Sequence, residues 1–340
     1  MSVSPTEARG SITTLRHRTA HLDTVAIVLA GGEGSRLRPL TDQQCKPAVP
    51  FVGSTRIVDF AIANLANSGI RQILVLAQYK PESLVEHLVR HWGPVFASTG
   101  RSLQVVMPRS ASPADRFRGT ADAVAKSSAH WLAPRPRWVA IFAADHVYRM
   151  DVAQMLEAHR RSGAGITVAA MPVPLAEASA FGVLRTGPDD VVVGFDEKPA
   201  HPCAMPGRPE YAYASMGNYV FDFRALRESL RIARARGHVD FGRDILPAAL
   251  GRERVVAYDF TTNRIPGVAS AQPYWRDVGT LASLELARAE VSSPDAPIRI
   301  EDPVWPIRPL APQPGAARVE APLPPGAPCG TRLPAGRANA

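Results

Sequence analysis

From Val25 onward the chain alternates short apolar, β-branched runs with amphipathic stretches, and few architectures satisfy that alternation: a mostly parallel sheet covered by helices is the simplest. Residues 25–30 read as the first strand. The spacing predicts a helix over 57–67 that stops before Gly69, a strand over 72–77, and a helix over 81–91 with proline in its first turn. A strand at 103–107, a helix at 120–132 and a buried strand at 138–143 follow, the last leading into Asp145. A helix at 152–161 and a strand at 166–172 continue the pattern. Then the period changes. Short strands at 183–186, 191–195 and 215–221 lie closer together than crossover helices allow, which predicts an antiparallel portion on the sheet's edge. Helices at 223–235 and 243–250, a strand at 255–258 and a helix at 280–291 complete the set. The predicted class is α/β, a Rossmann-like mixed and mostly parallel sheet.

The 340 residues suffice for one large α/β core. Residues 1–23 are polar, contain Arg9, Arg16 and Arg18, and read as a disordered basic arm. They lack the apolar block of a secretory signal, so export is not expected. Residues 291–340 hold 12 of the 32 prolines and show no periodic pattern, which predicts an irregular tail. The folded domain is therefore expected over 24–290. No apolar stretch reaches the roughly 18 residues of a membrane span. Cys45, Cys203 and Cys329 match neither a disulfide framework nor a zinc spacing, so a reducing cytoplasm is the simplest setting.

The formal charge is +8, of which the arm and the last fifty residues carry only +1 each. The excess belongs to the folded part, where it is spread out and lacks interleaved aromatics. Small anionic substrates are therefore favoured over nucleic acid or a membrane surface.

Directly after the first strand stands Leu29-Ala30-Gly31-Gly32-Glu33-Gly34-Ser35-Arg36-Leu37, with Lys46-Pro47 ten residues beyond Arg36. Three glycines in four positions let the backbone approach a ligand, and successive N–H groups at a strand-to-helix turn form a cradle for phosphate oxygens. No Gly-Lys-Ser/Thr follows, so this is not a P-loop, and the third glycine of a dinucleotide fingerprint is missing. Arg36 and Lys46 instead supply fixed positive charge suited to a polyphosphate whose leaving oxygens gain charge. The bland alternative is a tight turn with two surface cations.

Asp145 lies at the carboxyl end of a predicted sheet strand, where open α/β sheets bind ligands. Asp277, between Trp275 and Gly279, is a second candidate. Two carboxylates together with nucleotide phosphates suit Mg²⁺, which seldom has an all-protein cage. Either aspartate alone could equally cap a helix or form a turn. Glu197-Lys198-Pro199 ends another strand, leaving Lys198 at a rim where it could hold a phosphate as a point charge or stay solvated. The seven histidines outside the arm, His146 among them, show no partnered constellation and read as structural.

The run Gly31-Gly32-x-Gly-x-Arg-Leu with Lys46-Pro47 resembles the signature of sugar-phosphate nucleotidyltransferases. Further stretches resemble the bacterial glucose-1-phosphate adenylyltransferases (ADP-glucose pyrophosphorylases): Arg56-Ile57-Val58-Asp59-Phe60, Arg118-Gly119-Thr120-Ala121-Asp122-Ala123, Met171-Pro172-Val173-Pro174, Ala180-Phe181-Gly182-Val183, Ala214-Ser215-Met216-Gly217 and Tyr274-Trp275-Arg276-Asp277-Val278-Gly279. The resemblance spans about 25–308. It implies a nucleotidyltransferase domain that joins ATP to glucose 1-phosphate in glycogen biosynthesis. It further implies a nucleotide site at Leu29, Ala30, Gly31, Gly32, Gly34, Phe117, Gly119 and Thr120, with Arg36, Lys46 and Asp145 catalytic. Asp145 and Asp277 match the family's Mg²⁺ pair. Gly182, Glu197, Lys198 and Ser215 match its sugar-phosphate site.

Four departures accompany it. Phe117 stands where the family carries tyrosine, keeping a ring and losing a hydroxyl. The 107–116 loop is short and lacks a glutamine pair. Gln43 and Gln44 replace basic residues, which should weaken any hold on a phosphorylated effector. The family continues past Trp305-Pro306-Ile307-Arg308 into a left-handed β-helix, whereas here a proline-rich stretch follows and no β-helix domain is expected. Two other readings stay open: a synthase with a different base or sugar, and a catalytically silent regulatory subunit. A homo-oligomer and an association with a full-length homologue are both compatible with the sequence.

Overall fold

The computed structural model describes residues 23–268 and 273–308. The expected arm, except Asp23, and the expected tail beyond Arg308 lie outside the described residues, as does Cys329.

A nine-stranded sheet organises the chain. Its path runs β10 (Val255–Asp259), β6 (Ile166–Pro174), β9 (Tyr211–Asp222), β4 (Trp138–Ala143), β1 (Thr24–Leu29), β2 (Gln72–Leu76), β3 (Ser102–Val106). Strands β1, β2, β3 and β4 are mutually parallel, as are β6 and β10. The core strands are apolar along their whole length because both sheet faces are covered. Ala26, Val28 and Phe142 pack into one buried cluster and Val25, Ile27 and Ile141 into the other.

Antiparallel pairing is placed differently from the sequence expectation. Strands β7 (Gly182–Thr186) and β8 (Val192–Glu197) do form a peripheral hairpin, but β9, on which β7 packs, lies inside the sheet between β4 and β6. At twelve residues it is also longer than the 215–221 run. Its first half is recognisable only through its pairing with Met171–Pro174, which the proline-rich approach conceals. Two three-residue strands were not expected: β5 (His146–Tyr148) and β11 (Trp275–Asp277) pair with each other as a separate antiparallel ribbon.

The helices follow the apolar period with local breaks. Helix α1 is Val58–Asn67. The stretch expected over 81–91 begins with α2 (Glu82–His87), passes through a π-turn at Leu88–Trp92 and ends with α3 (Gly93–Ser98). The expected helix over 120–132 is two pieces, α4 (Thr120–Lys126) and α5 (Ser128–Trp131), and Ser127 at the break bonds back to Val124. Helices α6 (Val152–Ser162), α7 (Phe223–Arg236) and α8 (Leu246–Ala249) come next, with a π-turn at Phe241–Ile245 just before α8. Helix α9 (Leu281–Ser292) opens on a capping box formed by Thr280 and Ser283.

The core does not stop at residue 290. Val291, Ile298, Trp305 and Ile307 are buried in the same cluster as Ala26, Val28 and Phe142, so residues 291–308 belong to the folded unit although most of them are irregular in backbone. Polar anchors fix them. Arg149 Nη1 donates to Asp302 Oδ2 at 3.1 Å, both side chains being nearly buried, and Trp305 Nε1 donates to Asn64 Oδ1 at 3.2 Å. Asn64 in turn donates to Tyr148 O and accepts from the Met150 amide. This segment therefore buttresses the β5–β11 ribbon. The apolar side chains named above would account for several kcal/mol of burial at about 1.5–3 kcal/mol each. No β-helix forms among the described residues.

Candidate active site

Register decides where the cleft opens. Leu29 is aligned with Leu76 in β2 and with Ala143 in β4, so three parallel strands end at one level. The chain leaves those ends as the glycine loop, Gln78 and Asp145, the three pieces of one wall. The amides of Ala30 and Ala144 stay in the ladder, bonded to Leu76 O and Leu29 O. Antiparallel β9 approaches from the opposite direction. Beyond Tyr219, which pairs with Ile141, the strand overshoots β4 and brings Gly217 and Ser215 to the same level. The result is a cleft of about 740 Å³.

Every residue expected from the sequence to form the site lines this cleft except one. Ala30 is fully buried, with its side chain in the core beneath the loop. Its contribution is to hold the loop to β2.

At the cleft's centre Lys46, only 5% exposed, reaches two carboxylates far apart in sequence: Nζ lies 3.0 Å from Asp145 Oδ2 and 3.2 Å from Asp277 Oδ1. Asp277 arrives there on β11, paired across the ribbon with His146. Burial works against ionisation of Asp145, but His146 and the Lys46 ammonium prevail and hold its carboxyl down to about 2. Gly34 makes the placement of Lys46 possible. Its φ of +69° is left-handed, and a Cβ there would come within 2.7 Å of Lys46 Cβ. Gly279 serves a neighbouring close approach, since a Cβ on it would meet Arg36 Nη2 at 2.8 Å and Asp277 Oδ2 at 3.0 Å. Arg36, Lys46, Asp145 and Asp277 thus form one charged cluster.

His146 belongs to that cluster, contrary to its reading as structural. Its Nε2 is 3.7 Å from Asp145 Oδ1 and 4.0 Å from Asp277 Oδ1, and each of the three side chains offers an atom within 4.8 Å of the others. The His146 Nδ1 is buried with no hydrogen-bond partner among the described residues. Two carboxylates meeting at the cleft's centre supply the hard oxygen donors that Mg²⁺ takes from protein, leaving positions for water and phosphate. The donor set fits that ion.

The wall of the glycine loop continues through Phe117, Gly119 and Thr120. Phe117 is pinned at both backbone groups by one amide: Gln78 Oε1 accepts from its N–H at 2.6 Å and Gln78 Nε2 donates to its C=O at 3.1 Å. Thr120 Oγ1 donates to Asp240 Oδ2 at 3.0 Å and accepts from the Phe241 amide at 2.9 Å. That link crosses the cleft floor and brings Asp240, Phe241 and Gly242 into its lining. Sequence reasoning missed these three and Gln78. The Asp-Phe-Gly run reads locally as the start of a helix, and nothing near it in sequence signals a ligand.

On the far wall Gly182 and Glu197 face each other as a strand pair. Lys198 follows in a left-handed conformation, φ +50°, unusual for a residue with a side chain, and its amide bonds Phe181 O at 3.0 Å. Desolvation raises the pKa of the Glu197 carboxyl, with Asp240 adding to the rise and Lys198 opposing it.

Cys45, next to Lys46, is buried and its thiol is pushed up to about 11 by burial, which leaves it protonated and inert. Gln44, one of the two amides in place of basic residues, bonds Leu40 O.

The comparisons with known proteins agree with this geometry. The model of the nucleotidyl transferase family matches residues 25–293. A glucose-1-phosphate adenylyltransferase of Thermodesulfovibrio yellowstonii is 45% identical over 290 residues, covering 84% of this chain and 70% of the relative. That of Shewanella amazonensis is 44% identical over 288 residues, covering 84% and 67% respectively. Glucose-1-phosphate adenylyltransferase 1 of Vibrio cholerae is 41% identical over 285 residues, covering 83% and 70%. Likeness sustained from the first strand through the last helix, over a sheet and cleft of this construction, makes the chain a member of the nucleotidyl transferase family, of the glucose-1-phosphate adenylyltransferase kind.

Proposed function

We propose that the chain converts ATP and α-D-glucose 1-phosphate to ADP-glucose and diphosphate in the cytoplasm, for glycogen synthesis. The observation that carries this reading is the meeting of a buried lysine with two carboxylates between a glycine loop and a second, lysine-bearing wall. The names of the relatives favour the same substrates.

A phosphate oxygen of glucose 1-phosphate attacks the α-phosphorus of ATP. The bond from that phosphorus to the α–β bridging oxygen breaks, and diphosphate leaves with the electron pair. A phosphate monoester is already a nucleophile, so neither a covalent intermediate nor a general base is needed. The work left to the protein is to bring two anions together and to stabilise charge that moves onto the leaving group.

Loop amides at Gly31, Gly32 and Gly34 would bind the triphosphate, with Leu29, Phe117, Gly119 and Thr120 flanking the nucleoside. Arg36 and Lys46 would stabilise the departing oxygens. Lys46 is suited to this because its ion pairs fix the ammonium before substrate arrives. Asp145 and Asp277 would hold a magnesium ion, which when bound neutralises phosphate charge. Across the cleft Lys198 would grip the sugar phosphate as a point charge, while Glu197, Ser215 and the Gly182 backbone orient the sugar.

The test is diphosphate release from purified protein across a panel of nucleoside triphosphates and sugar 1-phosphates. The proposal expects ATP with glucose 1-phosphate to be the best pair, in the presence of magnesium and without a partner chain. A strong preference for dTTP or GTP would overturn the assigned base, and silence with every pair would overturn the reaction.

A further inference from the structure

The two walls of the cleft are joined across its floor, and the joint turns on one hydroxyl. Helix α4 opens at Thr120, directly after Gly119, and packs there on the 239–242 segment. Val239 O accepts from the amides of Ala121 and Asp122 at 2.8 and 3.2 Å, and a Cβ on Gly119 would come within 2.5 Å of that oxygen. Only glycine permits so close an approach. The Thr120 hydroxyl then closes the joint, donating to Asp240 Oδ2 at 3.0 Å and accepting from the Phe241 amide at 2.9 Å.

A hydroxyl has one proton to give. That of Thr120 goes to Asp240, which leaves none for a nucleotide lying beside it. Asp240 is equally committed. Its Oδ1 accepts from the Arg243 amide at 3.0 Å, and Asp244 Oδ2 accepts from the amides of Asp240 and Val239 at 2.9 and 2.8 Å. The segment is therefore braced on its own side and tied to α4 by the Thr120 side chain and the two backbone bonds to Val239 O. Its far end reaches the other wall, where a Cβ on Gly242 would come within 2.6 Å of Glu197 Oε2. Thr120, Asp240, Phe241, Gly242 and Glu197 all line the cleft, so this run of contacts crosses it from wall to wall.

We propose that Thr120 is a positioning residue for the sugar phosphate: its hydroxyl, acting through Asp240 and Phe241, sets where Gly242 and the Glu197 carboxylate stand relative to the nucleotide. Thr120 belongs to the wall that flanks the nucleoside, yet its loss is felt by the other substrate, because orientation of the second reactant depends on the spacing it maintains. The inference rests on the two-substrate reaction proposed above.

Thr120→Val keeps the volume and removes the hydroxyl, whereas Thr120→Ser keeps the hydroxyl. The kinetics use diphosphate release with the pair that the unmodified chain turns over best. Thr120→Val should raise the KM for the sugar 1-phosphate roughly tenfold and leave that for the nucleoside triphosphate within about twofold. Thr120→Ser should recover most of the loss. Amide hydrogen exchange over residues 239–245, followed by mass spectrometry without substrate, should quicken in Thr120→Val and not in Thr120→Ser. A KM rise confined to the nucleoside triphosphate, an equal rise for both substrates, or unaltered exchange in Thr120→Val overturns the inference. If the valine variant melts too low for kinetics, Thr120→Ala, which leaves room for a water at the vacated groups, takes its place under the same criteria. Silence of the unmodified chain with every pair marks failure of the reaction alone. Exchange and calorimetric binding of glucose 1-phosphate then decide the inference: binding weakened in Thr120→Val and restored in Thr120→Ser upholds it, and equal binding by all three chains overturns it.

Discussion

The two walls of the catalytic cleft are built on opposite physical plans. The wall of the glycine loop, Lys46 and the β5–β11 ribbon is locked from beneath: Lys46 is nearly buried between two carboxylates, and Asn64, Arg149, Asp302 and Trp305 brace the ribbon that carries His146 and Asp277. The wall of β7, β8 and β9 presents an exposed lysine on a left-handed residue at a hairpin end, steadied by one backbone bond to Phe181. The difference teaches where rigidity is needed. Charges that must stabilise a leaving group act best when fixed in advance, whereas a point charge that captures a phosphate can adjust to it.

Substitutions on each side can break or sharpen that contrast. The largest effect is expected from Asp145→Asn, which takes away an anionic oxygen and one partner of Lys46. Turnover should fall by roughly three orders of magnitude or more, with diphosphate release as the readout. Retention of near-normal turnover would show that the locked wall is not the reacting one.

Asp302→Ala comes next. It leaves the buried Arg149 guanidinium without its partner and should cost about 3 kcal/mol of stability in urea unfolding, with turnover falling in step as the ribbon loosens. If stability drops and turnover does not, the bracing and the chemistry are uncoupled.

On the opposite wall Lys198→Ala should raise the KM for glucose 1-phosphate roughly tenfold or more while the melting temperature stays unchanged, because the side chain is exposed and supports no packing. A large loss of stability would contradict the adjustable character given to this wall.

The smallest effect is in the acid limb of stability. Desolvation works to raise the Asp302 carboxyl, but the amides of Trp305 and Val304 and the Arg149 guanidinium outweigh it and depress the pKa. A depressed folded pKa means the contribution is complete above the unfolded value near ~4 and is lost as pH falls below it through the folded value. The stability gap between the unmodified chain and Asp302→Asn, read from unfolding curves, should therefore be full at neutral pH and shrink steadily as the pH is lowered below ~4 towards the folded pKa.

The locked wall was also the more legible one in sequence. Its glycine loop, Arg36, Lys46 and Asp145 sit within or just after strongly periodic segments, so residue type and position together pointed to anion and metal chemistry. The other wall was legible at Gly182, Glu197, Lys198 and Ser215 mainly through resemblance. Asp240 and Phe241 left no local trace, because their link to Thr120 joins residues more than a hundred positions apart. His146 was misjudged for a related reason. Its neighbour Asp145 is adjacent in sequence, but the second carboxylate near its ring, Asp277, comes from the far end of the chain. The folded unit extends past residue 290 without a sequence signal, because buried Trp305 and Ile307 are spaced too irregularly to show a period.

What the amino-acid sequence determined alone was the alternation of strands and helices, the glycine turn at the end of β1 and the chemical types of the groups around it, since each of these depends on neighbours within a few residues. Only the tertiary structure decided that β9 runs inside the sheet and that Lys46 bridges Asp145 and Asp277. Those outcomes depend on strand register and on packing between distant segments, which the local pattern of side chains does not encode.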